Sequence, residues 1–203
     1  MSRVVKLGGS FLASPRLVPL LAALGRTPAA VVAGGGPFAD QVREAQARLG
    51  FDDRAAHLMA LMAMNQTALA CAALAPALAP LGSEEALAAA LARGESTLFL
   101  PWPAWAALPE LPASWEVTSD SIALLLARRL GLPLLVLKRA LPEGLPPSPA
   151  AWAEAGVVDP FFPRLAAGFP HPLLLRDEAW AEAHLLRPAP LSPAALSSLA
   201  EAR

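Results

Sequence analysis

Two apolar runs in this chain break into glycine, and that pairing narrows the folds open to it. Arg3-Val4-Val5-Lys6-Leu7 runs into Gly8-Gly9-Ser10, and Ala30-Val31-Val32-Ala33 runs into Gly34-Gly35-Gly36-Pro37-Phe38. A short run of β-branched and apolar residues bounded by glycine reads as a strand buried on both faces. The glycines that follow let backbone N–H groups approach an anion with no Cβ in the way. Proline fits a first helical turn, where its missing N–H would be unsatisfied anyway, so Gly36-Pro37 marks the passage from loop to helix. Each loop alone could be an ordinary tight turn. Two strands that each feed a glycine loop point to one phosphate cradle.

Lysine is scarce: Lys6 and Lys138 stand against fourteen arginines. Both close an apolar run, where a buried strand would deliver a charge. A compact ammonium suits a point contact on a transferring phosphoryl group, whereas a guanidinium prefers a planar fork. The competing explanation is compositional, since a coding background that exchanges Lys for Arg on the surface leaves the same imbalance.

At 203 residues, 55% of them hydrophobic, the chain is long enough to bury a sizeable core as one α/β domain or two small lobes. A net charge of −1 without a basic patch argues against nucleic acid. The single cysteine, Cys71, forms no internal disulfide, which fits a reducing cytoplasm. His57, His171 and His184 lie too far apart for ligand spacing, so no protein metal site is expected. The N-terminus carries no export signal. Ala55 to Leu81 is apolar enough to raise the question of a membrane span, but Asn65-Gln66-Thr67 and Pro76 interrupt it and alanine supplies most of its bulk. It reads as a buried helix, and no membrane is expected.

Along the chain, strands are expected near Val4–Leu7, Ala29–Ala33, Thr97–Leu100, Leu134–Leu137 and Leu173–Leu175. Helices are expected at Pro15–Leu24, Pro37–Leu49, the long segment opened by Asp52-Asp53, Ser83–Ala92, and from Thr118-Ser119-Asp120-Ser121 to Leu130. Pro101–Trp115 and Pro142–Pro149 read as proline-rich connections, and Gly156–Arg187 as a short loop, the last strand and a final helix. This alternation predicts an α/β fold, a mostly parallel central sheet sandwiched between helices in three layers. The tail after Pro188, with 191–203 as its end, reads as frayed.

Val-Val-Lys-Leu-Gly-Gly-Ser, Val-Val-Ala-Gly-Gly-Gly-Pro-Phe-Ala and Thr-Ser-Asp-Ser-Ile-Ala occur here in the order of the amino acid kinase family, and the chain resembles it from Arg3 to about Leu175. Within that family it is similar to a small branch that includes the kinase of methanofuran biosynthesis, which converts an aminomethyl-furanmethyl phosphate to its diphosphate. The passages that carry this are Ala56–Ala60 with Met64-Asn65-Gln66, Trp115–Ser121, and Gly156–Pro163. The resemblance implies an ATP-dependent kinase with Mg2+ arriving on the nucleotide, a small-molecule acceptor and a homo-oligomer. It also implies an acceptor-side lobe over 1–112 and a nucleotide-side lobe over 113–190.

By the same resemblance Lys6 bridges donor and acceptor phosphates, Gly8, Gly9 and Ser10 hold the nucleotide phosphates, and Gly34, Gly35 and Gly36 face the acceptor. Asp120 matches the aspartate that orients the lysines, with Ser119 beside it, although a plain helix cap explains Asp120 as well. The family's second lysine, expected near Gly156–Arg164, is missing, and Lys138 or Arg164 stands in for it. No general base is evident, and an ionised phosphate or carboxylate acceptor needs none. His57 either touches substrate or is a satisfied pocket histidine, and Asp159, Asp40 or Asn65 could meet a substrate amine. The alternatives are a carboxylate kinase of the acetylglutamate kinase type and a non-catalytic nucleotide-binding protein.

Overall fold

A computed structural model describes residues 2–186; the expectation for the tail after Pro188 lies outside the described residues. Six strands form one sheet in the order β3-β4-β2-β1-β5-β6: β1 Arg3–Leu7, β2 Ala29–Ala33, β3 Leu78–Leu81, β4 Ser96–Phe99, β5 Leu134–Leu137 and β6 Leu173–Arg176. Every pairing is parallel. The helices are α1 Leu17–Leu24, α2 Gly36–Leu49, α3 Asp53–Leu74, α4 Glu84–Ala92, α5 Ser119–Leu130, α6 Pro149–Glu154, α7 Phe162–Ala166 and α8 Glu178–Ala181, with a 3₁₀ turn at Gly9–Ala13.

Side-chain alternation along the strands builds two cores, one on each face of the sheet. Val4, Ala30, Val32, Leu134 and Val136 pack with α5, α4 and the inner face of α3. Val5, Leu7, Val31, Ala33, Leu135 and Leu137 pack on the other face with α1 and the second half of α3. Lys6 shares the parity of Val4 and therefore emerges on the face that α5 covers.

The chain builds β1 to β4 on one side and then returns past β1 to lay β5 and β6 on the other. In an open parallel sheet the crevice forms outside the strand C-termini where this order reverses. Both glycine loops and Lys138 leave the sheet there, from β1, β2 and β5.

The apolar segment after Asp52 differs from its expectation. Helix α3 ends at Leu74, and an unexpected strand, β3, occupies Leu78–Leu81 on the sheet edge. An edge strand tolerates Pro80, which a central strand would not. Nor is α3 buried all round: Ala56, Leu61, Met64, Ala68 and Cys71 face inward, while Met59, Met62, Leu69 and Leu74 are exposed. It is the one described helix long and apolar enough to cross a membrane, yet its inner stripe belongs to the core of this fold. A short helix, α6, follows the Pro142–Pro149 connection, and another, α7, lies where a loop was expected; Ser148 caps α6 through the Ala151 N–H and Pro149 fills its first turn.

Candidate functional site

Lys6, Lys138 and Asp120 meet at the sheet's C-terminal crevice. The Lys6 Nζ lies 2.7 Å from Asp120 Oδ1, and the Lys138 Nζ lies 2.9 Å from Oδ2. Lys6 and Asp120 are almost fully buried, at 3% and 4% exposure. Burial alone would raise the Asp120 carboxyl, but the charges of Lys6 and Lys138 outweigh it and hold the group below its usual range. Burial, with repulsion from Lys6, pushes the Lys138 ammonium down to about 8 against the opposing pull of Asp120. Two cations around one anion leave a net positive charge facing the cavity.

The glycine loops interlock beside this triad. A Cβ on Gly9 would stand 2.4 Å from the Gly36 nitrogen and 2.5 Å from its Cα, so the two backbones touch as only glycine allows. Gly36 itself has φ +52°, in the left-handed region. The Gly8 N–H donates to the Leu137 carbonyl at 3.1 Å and the Gly34 N–H to the Leu7 carbonyl at 2.9 Å, both extending the sheet. Those amides are therefore committed to the fold. The amides of Gly9, Ser10, Gly35 and Gly36 have no such backbone acceptor, and all four residues line the cavity. Gly9→Ala must push one backbone off the other, and overpacking of this kind costs about 1–3 kcal/mol. A melting temperature lowered by several degrees, with weakened nucleotide binding, is the expected result; calorimetry and a binding titration check it.

The cavity, of about 320 Å³, is lined by Lys6, Asp120, Lys138, Gly9 and the Gly34–Gly36 loop. Its apolar wall comes from Leu61, Met64, Val117 and Ile122. His57 also faces it from α3, and burial lowers the imidazole's pKa so that it is neutral at pH 7. Ser119 lines it beside Asp120.

Four expected site residues sit elsewhere. Arg164, on α7, lines a separate cleft with Arg128 and Arg129, its guanidinium 5.4 Å from the Phe161 ring, so it is no substitute for a second lysine at the triad. Asn65 is occupied in clamping the Pro101–Trp115 connection, donating to the Trp102 carbonyl at 2.9 Å and accepting from its N–H at 3.2 Å. Gly8 lies beneath the cavity rather than on it. Asp159 is not open to a substrate amine either: it is buried under α5, accepting from the N–H groups of Thr118, Ser121 and Phe162.

Reading the sequence also missed residues that the fold brings in. Arg43 of α2 stacks on Trp115 at 4.3 Å, the Trp115 Nε1–H donates to Gln46 Oε1 at 2.6 Å, and Arg43 and Trp115 line the cavity with Asp40. Arg43 falls one turn after Asp40 on a helix already expected, but nothing local pairs it with a tryptophan 72 positions later.

Residues 1–139 match the model of the amino acid kinase family. No curated protein sequence matches the chain. Among solved structures, uridylate kinase from Archaeoglobus fulgidus is similar at 17% identity over 89% of this chain and 94% of that one, with a TM-score of 0.63. UMP kinase from Ureaplasma parvum is similar at 15% identity over 100% of this chain and 95% of that one, with a TM-score of 0.65. These likenesses show a common fold.

Proposed function

Because this chain belongs to the amino acid kinase family, we propose that it transfers the γ-phosphoryl group of ATP to a small acceptor. The observation that carries the reading is the Lys6–Asp120–Lys138 triad set against four uncommitted glycine-loop amides. Phosphoryl transfer spreads negative charge over three equatorial oxygens, and the protein's work is to position two anions and neutralise what develops between them. Lys6 would lie between donor and acceptor phosphates, Lys138 would hold the donor side, and Asp120 would fix both ammonium groups. Gly9 and Ser10 would cradle the nucleotide phosphates, with Gly35 and Gly36 on the acceptor side.

The residues fit a nucleotide's phosphates. A magnesium ion arriving with ATP would draw its ligands from phosphate and water, because both Asp120 oxygens already face ammonium groups. The rest of the nucleotide would extend past Lys138 into a cleft of about 450 Å³ between the Leu141–Pro147 loop and Trp180. On this reading residues 1–112 form an acceptor-side lobe that lends its Gly9-Ser10 turn to the nucleotide phosphates, and residues 113–190 form the nucleotide-side lobe. The exposed α3 stripe of Met59, Met62 and Leu69 supports pairing with a second copy, since no charged residue falls between Arg54 and Glu84.

The acceptor class we infer is a phosphate monoester of the kind used in the methanofuran branch. Its oxygen is already ionised and needs no general base, and among the described residues the one imidazole lining the cavity, His57, is made a weaker base by burial. ADP release should therefore follow addition of aminomethyl-furanmethyl phosphate and not of its free alcohol. Equal rates with the alcohol would overturn the phosphate acceptor and make His57 the base. Preference for an acylated amino acid would favour a carboxylate kinase, and nucleotide binding without turnover a sensor.

Lys138 also sets a pH limb. It acts as a cation, so kcat/KM for ATP should hold below about pH 8 and fall as the pH rises through it. Lys138→Arg should remove that limb even if it lowers the plateau, since a guanidinium stays charged across the range. A pH profile of the two proteins checks this.

A further inference from the structure

Helix α5 begins without a cap of its own. The N-cap residue, Thr118, makes no side-chain bond to the helix; instead its hydroxyl donates to Asp159 Oδ2 at 2.9 Å. Asp159 lies 38 residues beyond Ser121 and does the capping from outside: Oδ2 accepts from the N–H groups of Thr118 at 2.9 Å and Ser121 at 3.0 Å. Its Oδ1 accepts from the Ser121 hydroxyl at 2.5 Å and from the Phe162 N–H at 3.0 Å. The same carboxylate therefore ties the first turn of α5 to the start of α7. Burial raises its pKa, with the nearby Asp120 charge adding to that, while the Ser121 and Thr118 donors act the other way. Five donors on one 5%-exposed carboxylate are an unusual investment for a plain loop.

Asp120 sits inside that turn, between Thr118 and Ser121. A helix normally fills its N-terminal donors with a side chain from its own first residues. Here an aspartate from another segment fills them, which releases Ser119 to line the cavity and Asp120 to face the two lysines. We propose that Asp159 is a positioning residue, an external cap whose grip on Thr118 and Ser121 fixes Asp120 between Lys6 and Lys138. The proposal rests on the reading of the triad as the phosphoryl-transfer centre.

The test exploits the two lysines, which in the 203-residue chain labelled at the lysine Cε give two side-chain NMR signals that Lys138→Arg assigns. Asp159→Asn removes the carboxylate; Ser121→Ala, which leaves every charge in place, covers the case in which Asp159→Asn fails to fold. In Ser121→Ala, kcat should fall about tenfold to a hundredfold, as small misplacements do, with KM for ATP changed less than about threefold. Both lysine signals should shift in the same protein, and Ser121→Thr, which keeps the hydroxyl, should restore kcat and signals together. Unchanged kcat with unmoved signals would overturn the proposal, as would lost turnover with both lysines in place. If the unaltered chain transfers no phosphoryl group, the kinase reading fails while the lysine signals still decide whether Asp159 sets the triad.

Discussion

Lys6→Ala is expected to lower kcat by on the order of a hundredfold to a thousandfold while ATP binding weakens only modestly, because the lost cation would act where charge develops. Lys6 is 3% exposed, its ammonium stands 2.7 Å from Asp120 and it lines the cavity, so a water entering the space left by the side chain would not replace its charge. The fold should survive, since Asp120 keeps Lys138 as a partner. Steady-state kinetics with a nucleotide-binding titration separate the two effects. An unchanged kcat would remove phosphoryl transfer from this site.

Asp120→Asn acts on stability as well as turnover. It leaves two buried ammonium groups beside a neutral amide, and removing one partner of a buried ion pair costs about 3–5 kcal/mol. For a chain of this length that lowers the melting temperature by on the order of 10 °C at neutral pH. The sign of the pH dependence follows from Lys138. Its folded pKa, already depressed to about 8, falls further without Asp120, so between that value and the ordinary lysine range the unfolded chain binds more protons than the folded one. Stability of the variant therefore recovers as pH rises, and the recovery begins at lower pH than in the unaltered protein, whereas a variant damaged only in packing would keep the unaltered protein's onset near pH 8. Thermal melts across the neutral to alkaline range check it.

The parts of this site that were legible in sequence are those announced locally. Lys6 and Lys138 each close an apolar run, the glycines follow strands directly, and Thr-Ser-Asp-Ser opens a helix, so β1, β2, β5 and α5 and the three charged residues could be named before any geometry. What was not legible depended on partners distant in the chain. Arg164 stands in the stretch where a second cation was expected, but α7 turns it into another cleft. Asn65 looks like a pocket amide on an apolar helix until the Trp102 backbone occupies it. Asp159 has only Val157-Val158 before it and proline after it, with nothing to announce that five donors converge there. The strand at Leu78–Leu81 was absorbed into the preceding helix because an alanine-rich run shows neither period strongly, and Pro80 argues against a strand anywhere but an edge.

One cradle joining two phosphates is what separates phosphoryl transfer from nucleotide binding alone. Phosphorus NMR of the protein with Mg-ATP and aminomethyl-furanmethyl phosphate follows the reacting groups themselves. The ATP γ signal should disappear while ADP and a new diphosphate pair on the acceptor grow in equal amounts, and Lys6→Ala should suppress all three changes. An unchanged γ signal, or one that passes only into orthophosphate at the same rate with and without acceptor, would contradict that transfer.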